Sequence, residues 1–312
     1  MHSVAMKKSS SIGFIAGILG AMCFGLIPVF SKPALALGLS PACILTYRFS
    51  LAAIMLGIFL AMRGTSLKLE KCYLPDMMLL TLCYCVSGGC LMLGYEYMSG
   101  GVTGVIHFTY PVFVLLILLV VYREKVKLSS VLAIIIAIAG IYCLGVLGGD
   151  EAFMPGANRA EGVVIVVISG LGYASYMVFI NKCKVRKFDS LFLTFWILVF
   201  TALVFAAIAI GKGEFVLISD TETWLNFLAL ALLSTVVANV FVVYSVKVVG
   251  STLASILSAM EPATSVVMCI ILFDEALNLP IAIGIALIAT AVGIVIARNH
   301  RKSVDAAGER VS

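Results

Sequence analysis

"TYPVFVLLILLVVYREKV" (109–126) decides the fold, because "MEPATSVVMCIILFDEAL" (260–277) repeats its pattern 151 residues later. In that alignment Pro111 falls on Pro262 and Glu124 on Glu275. Each stretch is an apolar run interrupted near its start by proline and closed by a glutamate. A second pair matches at an offset of 150: "GAMCFGLIPVFSK" (20–32) with "GLGYASYMVFINK" (170–182), Gly20 on Gly170 and Lys32 on Lys182. The chain reads as one unit written twice.

The unit is built for a bilayer. Of 312 residues, 62% are hydrophobic and 12% charged, against about 25% charged in an ordinary soluble domain. Ten apolar runs stand out, at about 12–31, 42–62, 76–98, 102–122, 129–148, 162–182, 190–211, 224–246, 252–272 and 280–298. Each is near the roughly 20 residues that a helix needs to cross the hydrocarbon core. The first run follows Lys7 and Lys8, is longer than the apolar region of a signal peptide and has no small-x-small cleavage site after it, so a retained helix is expected. Most of the nine cysteines sit inside apolar runs and no CxxC pair occurs, which suggests neither disulfides, a metal site nor a redox cofactor. The net charge of +5 comes from short basic loops and is no sign of nucleic acid binding.

With the N-terminus in the cytoplasm, 17 Lys and Arg fall on the inner side and Lys32, Arg159 and Lys212 on the outer side; Arg48, inside the second run, completes the 21. Such segregation fits ten spans with both termini inside. Five spans per half force the second copy to enter the membrane from the opposite side. The expected fold is an all-α membrane protein of ten transmembrane helices in two inverted five-helix repeats. Residues 1–148 form the first repeat, 149–161 the connecting loop, 162–302 the second repeat and 303–312 a disordered cytoplasmic tail. Inverted repeats are usual in secondary transporters, with the site at the repeat interface near the midplane.

Through "HFTYPVFVLLILLVVYREKV" (107–126), "MEPATSVVMCIILFDEAL" (260–277) and the five-plus-five layout, the chain resembles the EamA-type branch of the drug/metabolite transporter superfamily over about residues 12–298. The resemblance implies a small ten-helix carrier of the inner-membrane type, and export of amino acids, amines or other metabolites. It also implies a general gating or coupling role for a glutamate before the second proline.

The candidate residues follow from the cost of polar groups in lipid. Pro111 lacks an N–H and disfavours the carbonyl four residues back, that of His107. A carbonyl freed at membrane depth survives only in protein or against a wet cavity. His107 and Tyr110 share a face, and His107 either binds substrate, carries a proton or is a packed interhelical donor. In the second repeat Pro262 frees the carbonyl of Ser258, the counterpart of His107, and Glu261 is the counterpart of Tyr110. A carboxylate there costs several kcal/mol unless paired, hydrated or protonated. Glu261 thus binds an amine or a proton, or serves as a structural carboxyl. Arg48 lies roughly 10 Å into its span; it snorkels to headgroups or faces the cavity as a fork for a carboxylate. Tyr173 and Tyr176 stack on a substrate or anchor the interface. Asn239 is expected to bridge helices. Glu124 and Glu275 are expected at the N-termini of the fifth and tenth helices.

Enzymes are disfavoured: there is no HExxH, and His2 and His300 lie at the chain ends. A primary pump lacks its phosphate loop. A substrate-gated channel or membrane sensor remains the alternative. The expected partners are a small-molecule substrate, the bilayer and protons as a coupling ion.

Overall fold

The computed structural model describes residues 2–123, 152–258, 260–275 and 277–290, with scattered positions at 132–147 and 293–294; side chains are described from Ile12 onward, except for Thr252, Leu253 and Ile256. The fifth run lies largely outside the described residues, as do Glu124 and the tail.

The first span is α1 (His2–Gly25) and α2 (Ile27–Ala36), parted at Leu26. The second and third are α3 (Pro41–Met62) and α4 (Leu74–Tyr97), and the fourth is α5 (Gly100–His107) followed by α6 (Tyr110–Val120). The sixth and seventh are α7 (Arg159–Lys182) and α8 (Ser190–Gly211). The eighth combines α9 (Thr221–Ala231), a π-helical turn (Leu232–Val237) and α10 (Ala238–Val249). The ninth is α11 (Ser251–Leu257) and α12 (Met260–Phe273), and α13 (Leu279–Thr290) begins the tenth. Seven of the described helical stretches are long and apolar enough to cross a membrane by themselves. Among the described residues no strand occurs, which follows from the need to satisfy every backbone group inside lipid.

Helix starts are written in the sequence. Ser40 accepts from the Cys43 N–H ahead of Pro41, and Ser99, Asn158, Asp189 and Asp220 each cap the helix that follows. Each cap satisfies an amide that has no partner inside its helix. The loop between the repeats folds back on the first of them: the Ser99 N–H donates to the Ala152 carbonyl (3.0 Å) and the Met154 N–H to that of Tyr97 (2.9 Å).

The most extensive packing joins α4 to α7, α3 to α8 and α1 to α10. In spans these are third on sixth, second on seventh and first on eighth. Exchanging each span with the one five later leaves the set unchanged, as a twofold relation between repeats requires. Small residues bring the backbones together: a Cβ on Gly172 would stand 3.0 Å from the Cys83 carbonyl oxygen, and one on Gly20 would stand 3.0 Å from that of Ala238. The repeat extends to backbone detail. Arg123 (φ 52°) and Asp274 (φ 50°), at equivalent positions, are the described non-glycine residues in the left-handed region, a conformation few side chains adopt. The outer faces carry exposed Ile54, Ile58, Leu82, Leu203 and Ile210, an apolar surface suited to lipid.

Candidate functional site

Both proline-bearing spans are broken where the sequence places the prolines, yet the two breaks are closed differently. Between α5 and α6 the Thr109 N–H and hydroxyl both donate to the Ile106 carbonyl, at 3.1 and 2.8 Å. The His107 carbonyl faces the backbone of Gly170, where a Cβ would stand 3.0 Å from the oxygen. Near the second break the expected vacancy is filled: the Glu261 N–H donates to the Ser258 carbonyl at 2.9 Å. A tighter turn supplies the donor that Pro262 lacks. The Ser258 hydroxyl donates to the Ala254 carbonyl (3.0 Å).

The breaks bring the polar residues together. The Tyr110 hydroxyl donates to Glu261 Oε2 (3.3 Å), a contact between residues 151 apart that occupy equivalent positions in the two repeats. Equivalent residues can touch only where they straddle the pseudo-twofold axis, so the pair marks the repeat interface. His107 Nε2 stands 4.0 Å from Glu261 Oε1. His107 Nδ1 is 2.9 Å from the hydroxyl of Ser169 on α7, which also donates to the Ser87 carbonyl on α4 at 2.6 Å. His107, Tyr110 and Glu261 are all buried.

Arg48 is 2% exposed, so it faces inward and does not snorkel. Its Nε donates to Thr235 Oγ1 (2.8 Å) and its Nη2 to the Ser234 carbonyl (3.0 Å). Both acceptors belong to the π-helical turn, a rare form often found at functional sites. Two bonds leave part of the guanidinium's five-donor fork unspent on these partners.

A cavity of about 20 Å3 opens onto Arg48, Tyr84, Ser87, His107, Tyr173 and Glu261. It has room for about one water molecule. Two wider clefts, about 500 and 660 Å3, lie between α3, α4 and α8 and between α2 and α9. Neither is lined by His107, Glu261 or Arg48. Tyr173 packs edge-on against Tyr110 at 4.7 Å and Tyr176 stands behind it at 5.9 Å. Both are buried, not interface anchors, and their hydroxyls have no hydrogen-bond partner among the described residues. Asn239 donates to the Thr235 carbonyl in its own span (2.7 Å) and meets the Tyr84 hydroxyl on α4.

Of the residues singled out in the sequence, the structure gathers Arg48, His107, Tyr110, Tyr173 and Glu261 around this centre. Tyr176 and Asn239 lie one layer back, while Ser258, Pro111 and Pro262 shape the breaks. Ser169, Ser87 and Tyr84 were not anticipated. Ser169, Tyr173 and Tyr176 do share a face of α7 at i, i+4 and i+7, a legible signal.

Glu275 departs from expectation. Its carboxylate accepts from the Gly100 N–H (2.7 Å), the Gly101 N–H (2.9 Å) and Lys32 Nζ (2.6 Å). It does bind a helix N-terminus, as a negative group should, but that of α5 in the other repeat. The glycines admit it: a Cβ on Gly101 would stand 3.1 Å from Oε2, and one on Gly100 would stand 2.8 Å from Cys269 Sγ. Glu124 lies outside the described residues.

Comparison with known proteins agrees with this architecture. The profile of the EamA-like transporter family matches residues 11–146 and again 160–297. An uncharacterized transporter of Archaeoglobus fulgidus is 29% identical over 157 residues, 50% of this chain and 52% of that protein. The uncharacterized inner membrane transporter YhbE of Escherichia coli (strain K12) is 26% identical over 190 residues, 59% of this chain and 58% of that protein. The matches thus span little more than half the length of these relatives. A solved crystal structure with 17% identity aligns over 95% of this chain and 98% of its own, with a TM-score of 0.65, a likeness of fold. The chain belongs to the EamA-like transporter family and is a multi-pass membrane protein of two inverted five-helix repeats.

Proposed function

We propose that the protein is a secondary transporter that exports a small polar metabolite, an amino acid, an amine or a similar molecule, by alternating access. The observation that carries this reading is the Tyr110–Glu261 contact between equivalent residues, beside His107 and at one small cavity with Arg48. Polar groups this deep are expensive unless they meet a partner or a substrate. A carboxylate and a guanidinium on the walls of one cavity suit a zwitterion, and the Tyr173 hydroxyl, without a hydrogen-bond partner among the described residues, adds a group for its orientation. Residues 1–148 and 162–302 are the rocking units, joined by 149–161, with both termini and the 303–312 tail in the cytoplasm and the whole in the inner membrane. The proton is the coupling ion in this reading, held between Glu261 and His107.

Reconstitution in proteoliposomes tests it. A screen of metabolites for thermal stabilisation nominates the substrate, since a ligand of the folded state raises stability by mass action. Labelled substrate should then show counterflow, which a channel does not give. The Glu261→Gln, His107→Ala double variant should lose the response to a pH gradient. Proton coupling is rejected if that response survives, and the amino-acid reading if no labelled amino acid is moved.

A further inference from the structure

We propose that Ser169 is a positioning residue that fixes the tautomer of His107, with the proton on Nδ1 and a bare Nε2 turned to Glu261. A serine hydroxyl has one hydrogen. Ser169 lies 2.6 Å from the Ser87 carbonyl oxygen, which can only accept, so that hydrogen is committed to α4. Toward His107 Nδ1, 2.9 Å away, the same oxygen can then only accept, and Nδ1 must supply the proton. In the neutral ring this leaves Nε2 as a lone pair, 4.0 Å from Glu261 Oε1.

The place of Ser169 in the fold makes this arrangement rigid. It sits fully buried in the seam between α4 and α7. There Gly172 packs on the Ser87 amide, with a Cβ position 3.0 Å from that nitrogen. The seam cannot slide without breaking that backbone approach. Around the His107 ring, α7 presents Tyr173 at 5.6 Å, α6 presents Tyr110 at 5.5 Å and α12 presents Glu261. Tyr84 from α4 and Arg48 from α3 line the same cavity.

The consequence concerns direction of transfer, and it rests on the transport reading of this centre. With Nε2 bare, His107 can receive a proton from Glu261 Oε1 once the 4.0 Å between them closes to hydrogen-bond distance, becoming an imidazolium while the carboxyl becomes a carboxylate. With the other tautomer, Nε2–H would instead donate to the Glu261 carboxylate, and no lone pair would face it. Ser169 therefore makes His107 the acceptor of the pair.

The chain has three histidines, two of them at positions 2 and 300. A His2→Gln, His300→Gln protein labelled with 15N-histidine thus reports His107 alone. Full-length protein in nanodiscs should show the Nδ1–H tautomer preferred by roughly five- to tenfold, the worth of one buried hydrogen bond. Ser169→Ala should erase or invert that preference, and Ser169→Thr, which keeps the hydroxyl, should restore it. In the transport assay the midpoint of the pH profile should move to lower pH in Ser169→Ala and return in Ser169→Thr. A predominant Nε2–H tautomer in the parent protein overturns the inference, as does an Nδ1–H preference unmoved by Ser169→Ala. If the tautomer behaves as stated and transport shows no pH dependence, the coupling reading fails and the positioning role stands.

Discussion

The two broken spans, α5–α6 and α11–α12, descend from one pattern and have come to do different work. The first places His107 and Tyr110 at the break, the second Ser258 and Glu261 at the same positions. His107 reaches out to Ser169 on α7, whereas the Ser258 hydroxyl turns back to its own helix at Ala254. The His107 carbonyl is covered by a glycine of another helix, and the Ser258 carbonyl is closed by a local turn. A symmetric backbone thus holds an asymmetric centre. Duplication supplies the place near the axis, and single substitutions supply the chemistry.

Breaking that asymmetry at its strongest point should have the largest effect. Glu261→Ala leaves Tyr110 and His107 without their carboxyl; a loss of about 3 kcal/mol, or roughly a hundredfold in transport rate, is expected. The next test sets equivalent residues against each other in the same proteoliposome assay. His107→Ala should lower transport about tenfold, while Ser258→Ala should change it by less than about twofold, since its hydroxyl donates to the Ala254 carbonyl of its own helix. Equal losses would mean that the repeats contribute alike. Tyr110→Phe removes one hydroxyl at 3.3 Å and should cost about fivefold.

The smallest expected effect at a contact between the repeats concerns Glu275, which joins them away from the centre. Glu275→Gln weakens the ion pair with Lys32 and the cap on α5, and should raise thiol labelling of buried Cys269 about threefold as the seam loosens. Mass spectrometry of the Cys269 peptide reads this directly. Unchanged labelling would show that the glycine packing alone holds that mouth shut.

The legible part of the fold was the part written in periodicity and punctuation. Apolar runs, two prolines and two glutamates were enough to place the described spans and align the halves. The prolines also marked the centre, because a helix that must break in lipid declares where polar groups are tolerated. The partners of those groups were not legible. Ser169 is one serine in "VVISGLG" (165–171), and nothing local says that it touches residues 62 and 82 positions away. Arg48 stood open between headgroups and cavity until the π-helical turn at Leu232–Val237 supplied its acceptors. Glu275 caps α5 and not the helix that follows it for a related reason: charge predicts a positive helix end, and only topology selects which one.

The Tyr110–Glu261 contact carries one more consequence. A rotation axis maps points lying on it onto themselves. A rearrangement that interchanges the conformations of the two halves preserves the separation of every equivalent pair, and this pair is close enough to stay in contact. In the proposed alternating-access cycle the hydrogen bond would sit at the pivot, and a label on each residue should report an almost constant separation while distances at both mouths alternate.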